Sequence, residues 1–453
     1  MHGPSPVTLA IRFAVLLGLI GGALRVWLRI WLHQRGDGAG DTRALVEAEL
    51  RFARRFVAVA VRHKGGLIKI GQVASLRVDV LPREVSDELA KLQDRVEPHP
   101  LGEVEAQIVR ELGGPIASHF GAFERVPIAS ASLGQVHEAR LPDGRRVAVK
   151  VLYPGVERSV AVDLVAARVG LWLFDFLTVA DLGGVYREIR DSILGEMDYL
   201  REGRAAEEMA SNLAADPEVA AHVRVPAIHW PTTRRRVLTM EFIEGVKIND
   251  SKGLAARGRE PEEVVGWAVR AFLHMIFRDG FFHCDPHPGN LFVDDAGRIG
   301  ILDFGMNKRL SPTVMTMLRE NLLATVTRDP ARYARSFLEA GMIDARDVGA
   351  VEAVARISFD PAYWNLTPRE VAQLDFAEYF GRMRAQMKQV RSFRLPDGLV
   401  MWGRALTLLM GLASELAPGI RPLEVLGPYV MRFLAGAPAA RAGEVAAMGV
   451  ERY

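Results

Sequence analysis

A β-hairpin pattern in the middle of an otherwise helical sequence constrains the fold of this chain more than any other feature. The β-segments FERVPIASASLGQVHEARL and RRVAVKVLYP flank a Pro-Asp-Gly turn at 142–144, which is the arrangement of two antiparallel strands. In the second segment Val147, Val149 and Val151 share one face, so Lys150 points from the other. Because helical patterns dominate before and after this region, the sequence predicts an α+β fold.

The composition is that of a globular chain and excludes several classes of protein. Hydrophobic residues make up 49% and charged residues 25% of the 453 positions, which is ordinary for folded domains. The formal net charge is +2 and the basic residues are dispersed, so we expect no nucleic-acid partner. The one cysteine, Cys284, excludes an internal disulfide and a cysteine-rich zinc site. A cytosolic catalytic face is the natural interpretation.

The N-terminal leader combines apolar stretches with arginines, and its first 36 residues contain no acidic residue. The uninterrupted apolar run at 13–24 is twelve residues long, too short to cross a bilayer unaided. Arg25 and Arg29 lie one helical turn apart, as do Trp27 and Trp31, which suits a helix at a lipid interface. We therefore expect a leader attached to a membrane, either lying on it or spanning it. A helix packed on the protein, or a disordered leader, is the alternative.

Helical segments are expected on both sides of the β-region. After a flexible break at 36–42, helices are predicted over 43–63, from residue 67 onward, and between Pro82 and Pro98. Two strands are predicted in VRVPAIHW and RRRVLTMEFIEG, and helices dominate from about residue 260. The apolar stretch 399–416 contains Arg404 and Glu415, which favours a buried core helix over a membrane span.

Four sequence elements occur in the order that phosphoryl transfer requires. Lys150, on a predicted strand, is placed to hold nucleotide phosphates, and Glu202, on a later helix, to orient that lysine. In HCDPHPGN, Asp285 precedes Asn290 by five residues, and Asp303 opens a DFG triplet. Asp285 is the candidate general base or water-positioning residue. Asn290 and Asp303 are candidate magnesium ligands, because Mg²⁺ prefers hard oxygen donors.

The stretch HCDPHPGN also allows a metal-hydrolase interpretation. Alternation places His283, Asp285 and His287 on one side of an extended segment, where they could bind a metal ion. The remaining histidines are scattered without a second ligand cluster, which weakens that hypothesis. In the phosphoryl-transfer interpretation His283 braces the catalytic loop, and His287 is either a supporting group or a substrate contact.

HCDPHPGN, DFG, ASASLGQVH and KIGQ together resemble the UbiB family of atypical kinase-like proteins, also called AarF or coenzyme-Q-kinase-like. The resemblance runs from about residue 43 to beyond 420. It implies a bilobal protein-kinase-like fold with an all-helical N-terminal extension. By the same resemblance Lys150 is the nucleotide lysine, Glu202 its helix partner and Asp285 the catalytic-loop aspartate, while Asn290 and Asp303 are the metal ligands.

Two further motifs of this family precede the catalytic loop. The K-x-G-Q motif supplies Lys69, Gly71 and Gln72, and in relatives it folds over the place where a protein substrate would sit. The E-x-D motif supplies Glu196 and Asp198, and in relatives it faces that extension and the nucleotide site. Both imply restraint of ordinary protein phosphorylation. Spacing alone also places Lys69 and Gln72 on one helix face, allows Gly71 a close approach to another backbone, and lets Asp198 address the cleft.

The segment expected to cover the nucleotide is rich in alanine and serine. It comprises Ala129, Ser130, Ala131 and Ser132, where a protein kinase has G-x-G-x-x-G. Ser130 departs from the alanine that is commoner in the family, so the loop should meet the phosphates differently. Gly134 is either part of this loop or a bend in a strand.

Three other positions carry expectations of their own. Glu241 lies at the position of a kinase hinge, where backbone groups would meet the adenine. Cys284 is expected to be a small buried filler. Lys308, just after DFG, is expected to face solvent.

The predicted domain organisation follows from these motifs. The boundaries are a leader at 1–40, a helical extension at 41–115, a small lobe at 116–245, a large and mostly helical lobe at 246–435, and a tail at 436–453.

The sequence and the resemblance together predict an atypical kinase or ATPase. We expect ATP or ADP and Mg²⁺ as cofactors, a small-molecule or lipid-like acceptor, and action at the cytoplasmic face of a membrane. The resemblance adds isoprenoid quinone metabolism and quinone-biosynthesis proteins as partners. Two alternatives stay open, namely a nucleotide-sensing pseudokinase scaffold and a soluble small-molecule phosphotransferase that shares H-x-D-x-x-x-x-N.

Overall fold

The computed structural model describes most of the chain. The described residues are 4–35, 42–75, 82–92, 98–177, 183–361, 366–371, 382–383, 385–394, 396, 398–421, 424–425 and 427. The predicted tail at 436–453 and most of the predicted break at 36–42 lie outside them. The chain divides into two compact units, one of residues 1–204 with 227–242 and one of residues 205–226 with 243–453.

Helices account for most of the described secondary structure. They are α1 (Pro6–Arg35), α2 (Thr42–His63), α3 (Gly66–Ser75), α4 (Arg83–Ala90), α5 (Leu101–Leu112), α6 (Val156–Leu177), α7 (Gly183–Glu196), α8 (Tyr199–Ala214), α9 (Pro217–His222), α10 (Ser251–Ala256), α11 (Pro261–His274), α12 (Pro312–Thr327), α13 (Pro330–Glu339), α14 (Val348–Ser358), α15 (Pro368–Val371) and α16 (Leu399–Leu416). The predicted helix at 43–63 is confirmed as α2. The third predicted helix begins after Pro82 as expected but ends at Ala90.

Short strands complete the two units. They are β1 (Ala122–Phe123), β2 (Ala129–Ser130), β3 (Gly134–Arg140), β4 (Arg146–Leu152), β5 (Val223–Arg224), β6 (Val237–Glu241), β7 (Val246–Lys247), β8 (Phe281–His283), β9 (Leu291–Val293), β10 (Ile299–Ile301) and β11 (Asn307–Arg309). The strand predicted in VRVPAIHW is interrupted at Pro226, which cannot donate a ladder hydrogen bond. Val223–Arg224 form β5, and Ile228 makes an isolated antiparallel bridge to Met240.

The sheet of the first unit has the order β1-β3-β4-β6, with β2 paired to β3. The predicted hairpin is confirmed, because β3 and β4 pair antiparallel across the turn, where Gly144 has a φ of 88°. Val147, Val149 and Val151 are at most 3% exposed and pack in one cluster with apolar residues of α5. Lys150 therefore emerges on the opposite face of the sheet.

The N-terminal helices of the first unit share a second apolar core. It joins residues of α1, α2, α3, α4 and α6, with Ala60, Ile68 and Leu92 fully buried. Helix α1 continues unbroken through Arg25 and Arg29, past the twelve-residue apolar run. It is the one helix among the described residues that is long and apolar enough to cross a membrane, over Pro6–His33.

The second unit contains two small sheets among helices. One has the order β5-β10-β9-β7, and the other pairs β8 with β11. A π-helical turn at Met275–Asp279 follows α11 and ends at Gly280, whose φ is 64°, just before β8. Helix α16 is only partly the buried core helix that we predicted. Leu409 and Leu412 are 2% exposed, whereas Leu406 and Met410 are 36% and 38% exposed.

Candidate active site

Lys150 and Glu202 form the best-defined ionic pair of the predicted nucleotide site. Lys150 Nζ lies 2.8 Å from Glu202 Oε1 and 3.1 Å from Oε2. The Glu202 side chain is fully buried and that of Lys150 is 13% exposed. The ammonium also lies 5.2 Å from the centre of the Tyr199 ring. A buried carboxylate that holds a lysine in this way fixes the position of the positive charge, which is what binding of phosphates needs.

The predicted nucleotide loop comprises strand β2 and the turn that joins β2 to β3. Ala131 N–H donates to the Gly134 carbonyl at 2.8 Å, which closes the turn. Ala129 and Ala131 are exposed, Ser130 is half-buried and Ser132 is buried. The loop therefore presents mainly methyl groups and backbone to its surroundings.

Gly134 is required because two groups lie close to its α-carbon. A β-carbon there would lie 2.5 Å from the Val151 carbonyl oxygen and 2.6 Å from the Tyr199 hydroxyl. Its place within β3 settles the question left by the sequence, since it is a strand residue packed closely on β4.

A chain of hydrogen bonds fixes the end of this loop, and sequence reasoning missed it. His99 N–H donates to Gln135 Oε1 at 2.8 Å, and Gln135 Nε2 lies 2.9 Å from His137 Nε2. His137 Nδ1 lies 2.8 Å from the Glu124 carbonyl. Burial lowers the pKa of His137, so the neutral ring donates from Nδ1 and accepts at Nε2. Gln135, 1% exposed, thereby links the segment before α5 to the loop. Its position directly after Gly134 in SLGQVH was the available signal.

Glu241, the predicted hinge residue, ends strand β6. Its N–H donates to the Ala227 carbonyl at 2.8 Å, and its Oε2 accepts from Ala227 N–H at 3.4 Å. Both contacts hold the strand end against the segment at 227. Its predicted role at an adenine stays a prediction.

The two family motifs meet within the first unit. Lys69 of α3 forms an ion pair with Glu196 at the end of α7, and their side chains are 8% and 15% exposed. Gln72 Nε2 donates to the Leu92 carbonyl at 3.2 Å. Asp198 Oδ1 accepts from the Leu200 and Arg201 N–H groups, both at 3.2 Å, and so caps α8.

Gly71 makes a close approach of a different kind from the one predicted. A β-carbon at this position would collide with the Leu92 side chain and lie 2.8 Å from Phe56 Cε1. The expected neighbour was another backbone. The contact is with two side chains of the helical extension.

In the second unit His283 braces the predicted catalytic loop. Its ring is fully buried, and Nδ1 accepts from Asp285 N–H at 3.1 Å. Nε2 therefore carries the proton and donates to the carbonyls of Asp303, at 2.7 Å, and Leu302, at 3.1 Å. Asp303 has a left-handed backbone with a φ of 60°, which is unusual for a residue other than glycine. His283 thus joins the loop to the strained DFG segment.

The metal-hydrolase hypothesis is wrong in this geometry. Both ring nitrogens of His283 are engaged with backbone groups. His287 Nδ1 accepts from Gly289 N–H at 3.1 Å and caps the short helical turn at Pro288–Asn290. Within the described ranges, three His, Cys, Asp or Glu side chains do not come together as a metal cluster anywhere.

Asn290 and Asp303 carry the donor atoms that a hard cation prefers. Asn290 Nδ2 donates to the Asp285 carbonyl at 3.0 Å. This bond fixes the orientation of the side-chain amide, so Oδ1 is the atom that would bind a cation. Leu302 N–H donates to the Asn290 carbonyl at 2.8 Å, and this bond ties the segment before Asp303 to the loop. Asp303 Oδ1 accepts from Gly305 N–H at 3.3 Å. One amide and one carboxylate oxygen fit Mg²⁺, which keeps several waters in protein sites.

Asp285 has a partner that sequence reasoning did not anticipate. Arg404 Nη2, from α16, lies 2.9 Å from Asp285 Oδ1, and the two side chains are 9% and 24% exposed. In the sequence, Arg404 indicates only that its helix is not a membrane span. Its separation from Asp285 in the chain gives no local signal, so the sequence alone could not pair them.

The neighbours of Asp285 include two residues with separate expectations. Cys284 is buried as predicted, and burial raises the pKa of its thiol to about 12. Lys308, expected to face solvent, is half-buried in β11, which pairs with β8.

Comparison with known proteins adds independent findings. Residues 91–337 match the family model of the ABC1 atypical kinase-like domain. The chain is 32% identical to an uncharacterized protein of Synechocystis sp., over 91% of this chain and 71% of the relative. It is 33% identical to the chloroplastic protein ACTIVITY OF BC1 COMPLEX KINASE 8 of Arabidopsis thaliana, over 81% of this chain and 52% of the relative. It is 32% identical to a probable protein kinase UbiB of Marinobacter nauticus, over 80% and 66%.

A solved structure is also similar. A Mycobacterium tuberculosis protein in complex with erythromycin superposes with a TM-score of 0.52 at 25% identity, over 80% of this chain and 95% of the other. The chain spans roughly half to 71% of the length of the three curated relatives described. The similarities confirm the predicted kinase-like α+β fold and the helices that precede it, because the family match begins at residue 91, after α4. A kinase-like domain implies nucleotide binding.

Proposed function

This chain belongs to the ABC1/UbiB atypical kinase-like family, and on that premise we propose that it is a magnesium-dependent ATP-binding enzyme working at a membrane surface. It would hydrolyse ATP or transfer the γ-phosphoryl group to a small or lipid-like acceptor. The finer assignment to isoprenoid quinone metabolism, with ubiquinone or menaquinone as the related product, is supported by the family resemblance alone.

The buried ion pair of Lys150 and Glu202 carries this proposal. With Glu202 at 1% exposure, the carboxylate is stable there only because it is paired. The pair holds an ammonium group on the face of β4 opposite the packed valines, where it can meet the phosphates of a nucleotide. A structural lysine on a solvated face would not need a buried partner of this kind.

The DFG segment and the catalytic loop supply the remaining chemistry. Asn290 Oδ1 and the Asp303 carboxylate would hold Mg²⁺, which when bound neutralises charge on the phosphates. Asp285 would accept the proton of the acceptor hydroxyl or orient a water molecule. His283 fixes the position of Asp285 relative to Asp303, since it accepts from Asp285 N–H and donates to the Asp303 carbonyl.

A nucleotide-sensing scaffold is the second candidate, and one observation favours it. Asp285 is engaged by Arg404 at 2.9 Å, so the candidate base is already paired with a cation. A protein in this state could bind nucleotide and change a partner surface without turnover.

The test is Mg-dependent ATP hydrolysis by the full-length protein, with and without anionic liposomes, beside Asp303→Asn. Asparagine tolerates a positive φ and keeps the shape of Asp303 but lacks the charge. Asp295→Asn is the matched control, because this exposed turn residue pairs with Arg257 on the surface. We expect turnover in the wild type and the control and none in Asp303→Asn, with unchanged circular dichroism.

Two other outcomes would redirect the assignment. Tight Mg-ATP binding without turnover under any lipid condition would favour the scaffold. Equal turnover in Asp303→Asn and wild type would remove the phosphoryl-transfer assignment.

A further inference from the structure

A buried arginine lies within the apolar leader helix. Arg12 is 6% exposed, although it lies within the first two turns of α1. Its Nε and Nη2 atoms contact the two carboxylate oxygens of Asp163 in α6, both at 2.6 Å. Nη1 and Nη2 also donate to the carbonyls of His63 and Lys64, at 2.6 and 2.7 Å. The guanidinium therefore pairs bidentately with α6 and at the same time caps the end of α2.

The partner carboxylate is equally engaged. Asp163 is 1% exposed, and it also accepts from the backbone N–H groups of Gly66 and Leu67, at the start of α3. Gly65 and Gly66 leave room for the pair, since β-carbons there would lie 3.0 Å from Arg12 Nη2 and 2.9 Å from Asp163 Oδ2. One ion pair thus joins α1, α2, α3 and α6.

Apolar packing extends this attachment along α1. Leu16, Leu19 and Ala166 belong to one buried cluster. A β-carbon on Gly170 of α6 would lie 3.2 Å from Ile20 Cγ1. Small residues on α6 therefore let α1 lie close against it for about two turns beyond Arg12.

Crossing a membrane would require α1 to give up this arrangement. A span needs about 20 residues, and any window of 20 residues within Pro6–His33 contains Arg12 or both Arg25 and Arg29. A window with Arg12 would place its charge in hydrocarbon and leave Asp163 buried without that partner. If a window without Arg12 crossed the membrane, Leu16, Leu19 and Ile20 would still leave the apolar core that they share with α6.

The opposite side of α1 has the character of a lipid-facing stripe. Val7, Ile11, Leu17, Leu28 and Leu32 are between 43% and 69% exposed. Arg25 and Arg29 are exposed on the same third of the helix circumference, and the first 36 residues contain no acid. An apolar stripe with exposed arginines is complementary to an anionic bilayer surface. The apolar side chains enter the edge of the hydrocarbon region, and the guanidinium groups contact the lipid phosphates.

We propose that α1 stays clamped to the protein by Arg12 and Asp163 and lies on an anionic phospholipid bilayer through this stripe, without spanning it. This inference rests on the proposed location at a membrane and is independent of nucleotide chemistry. Since Asp163 also holds the start of α3, the bilayer-facing helix and the helix that carries Lys69 belong to one packed unit.

Thiol accessibility tests the clamped orientation. The sole cysteine, Cys284, is 1% exposed, so a membrane-impermeant maleimide should report only an introduced thiol. Ser5→Cys marks the start of α1, and Asp143→Cys, on the exposed hairpin turn, marks the body of the first unit. In sealed inverted membrane vesicles we expect both variants to label equally with and without detergent. Labelling of Ser5→Cys only after detergent, with Asp143→Cys labelled throughout, would show a spanning helix and overturn the proposal.

Vesicle binding tests the stripe itself. The full-length protein is floated with vesicles of phosphatidylglycerol and phosphatidylcholine, and with phosphatidylcholine alone. We expect binding to the anionic vesicles only, and a loss of roughly tenfold or more in Ile11→Glu, because a charge replaces an exposed apolar side chain that would enter the bilayer. Val126→Glu is the matched control, since Val126 is 77% exposed in a loop of the same unit. Equal binding by Ile11→Glu and wild type would contradict the proposal.

The oligomeric state of the protein distinguishes a lipid-facing stripe from a dimer interface. If the protein forms a dimer that Ile11→Glu dissociates and no vesicle composition binds it, the stripe serves a second copy and the proposal fails. ATP turnover measured without lipid reports the proposed enzyme separately. Lack of turnover together with lipid binding and equal labelling would leave the clamped helix intact and remove only the enzymatic assignment.

Discussion

Arg404 and Asp285 form an ion pair at 2.9 Å between helix α16 and the predicted catalytic loop. The pair restrains the candidate base, because the Asp285 carboxylate must leave Arg404 before it can reach the proton of an acceptor or a water molecule. We expect Arg404→Met, which keeps an unbranched apolar stem in the partly buried site, to raise basal Mg-ATP turnover roughly three- to tenfold. Initial rates of ADP release at saturating ATP measure this.

The control for this prediction removes an arginine ion pair elsewhere. Arg356 pairs with Glu352 on the surface of α14 and its side chain is 67% exposed, so Arg356→Met should leave turnover unchanged. A fall in turnover in Arg404→Met alone would mean that Arg404 positions Asp285 for chemistry. That result would contradict the restraint inferred from the geometry.

The buried pair of Lys150 and Glu202 predicts a strong dependence of stability on the presence of both partners. Lys150→Met leaves the Glu202 carboxylate buried without this counterion, and we expect a loss of about 3–5 kcal/mol in the free energy of unfolding. Lys150→Met combined with Glu202→Leu should recover much of that loss, because two apolar groups replace the pair. Urea denaturation of the two single variants and the double variant gives the coupling energy. Additive losses would show that the two residues do not interact in solution.

The sequence predicted those parts of the fold that depend on local pattern. The alternation in VAVK gave the face of β4 from which Lys150 emerges, and the motif order gave the kinase-like class. Long-range pairs carry no such pattern. Arg12 with Asp163 and Arg404 with Asp285 are each separated by more than a hundred residues, and only the folded chain brings them together.

Glycines show the same limit at single positions. The sequence indicated that Gly71 needs space, yet its neighbours are the side chains of Leu92 and Phe56 and not the backbone that we expected. Gly134 was ambiguous between a loop and a bend, because the groups that crowd it, the Val151 carbonyl and the Tyr199 hydroxyl, come from other elements. The conformational propensity of a glycine describes its own backbone. It does not predict which side chains or carbonyl groups of other elements pack against that glycine.

Gly134 gives a prediction of its own. We expect Gly134→Ala to lower the free energy of unfolding by about 1–3 kcal/mol, the usual effect of overpacking, because the carbonyl at 2.5 Å belongs to the backbone of β4 and cannot move aside. Nucleotide affinity should also fall, since the strand continues into the predicted covering loop. Gly102→Ala in α5 is the matched control: its β-carbon meets nothing within 4 Å, so it should be neutral or stabilising. Equal melting temperatures for the two variants would contradict the crowding.

A cluster around the π-helical turn predicts a dependence of stability on pH. Burial raises the pKa of Asp279 to about 6, the charge of Asp216 adds to this effect, and Arg278 opposes it. His274, fully buried, lies with Nε2 3.7 Å from Asp279 Oδ2 and Nδ1 3.7 Å from Asp216 Oδ2. In the unfolded chain the carboxyl titrates near its ordinary value, so between about pH 4 and 6 the folded state binds more protons than the unfolded state.

The contribution of Asp279 to stability is therefore fully present below about pH 4 and is lost as the pH rises through about 6. Asp279→Asn has no such loss. We expect the melting temperature of this variant, relative to wild type, to rise between about pH 4 and 6 and to level off at higher pH. The rise should be roughly 2–4 °C, which corresponds to about 1 kcal/mol after allowance for screening by water. Asp295→Asn, at an exposed turn, should show a constant difference over the same range. A constant difference for Asp279→Asn as well would mean that its carboxyl titrates alike in the folded and unfolded chain.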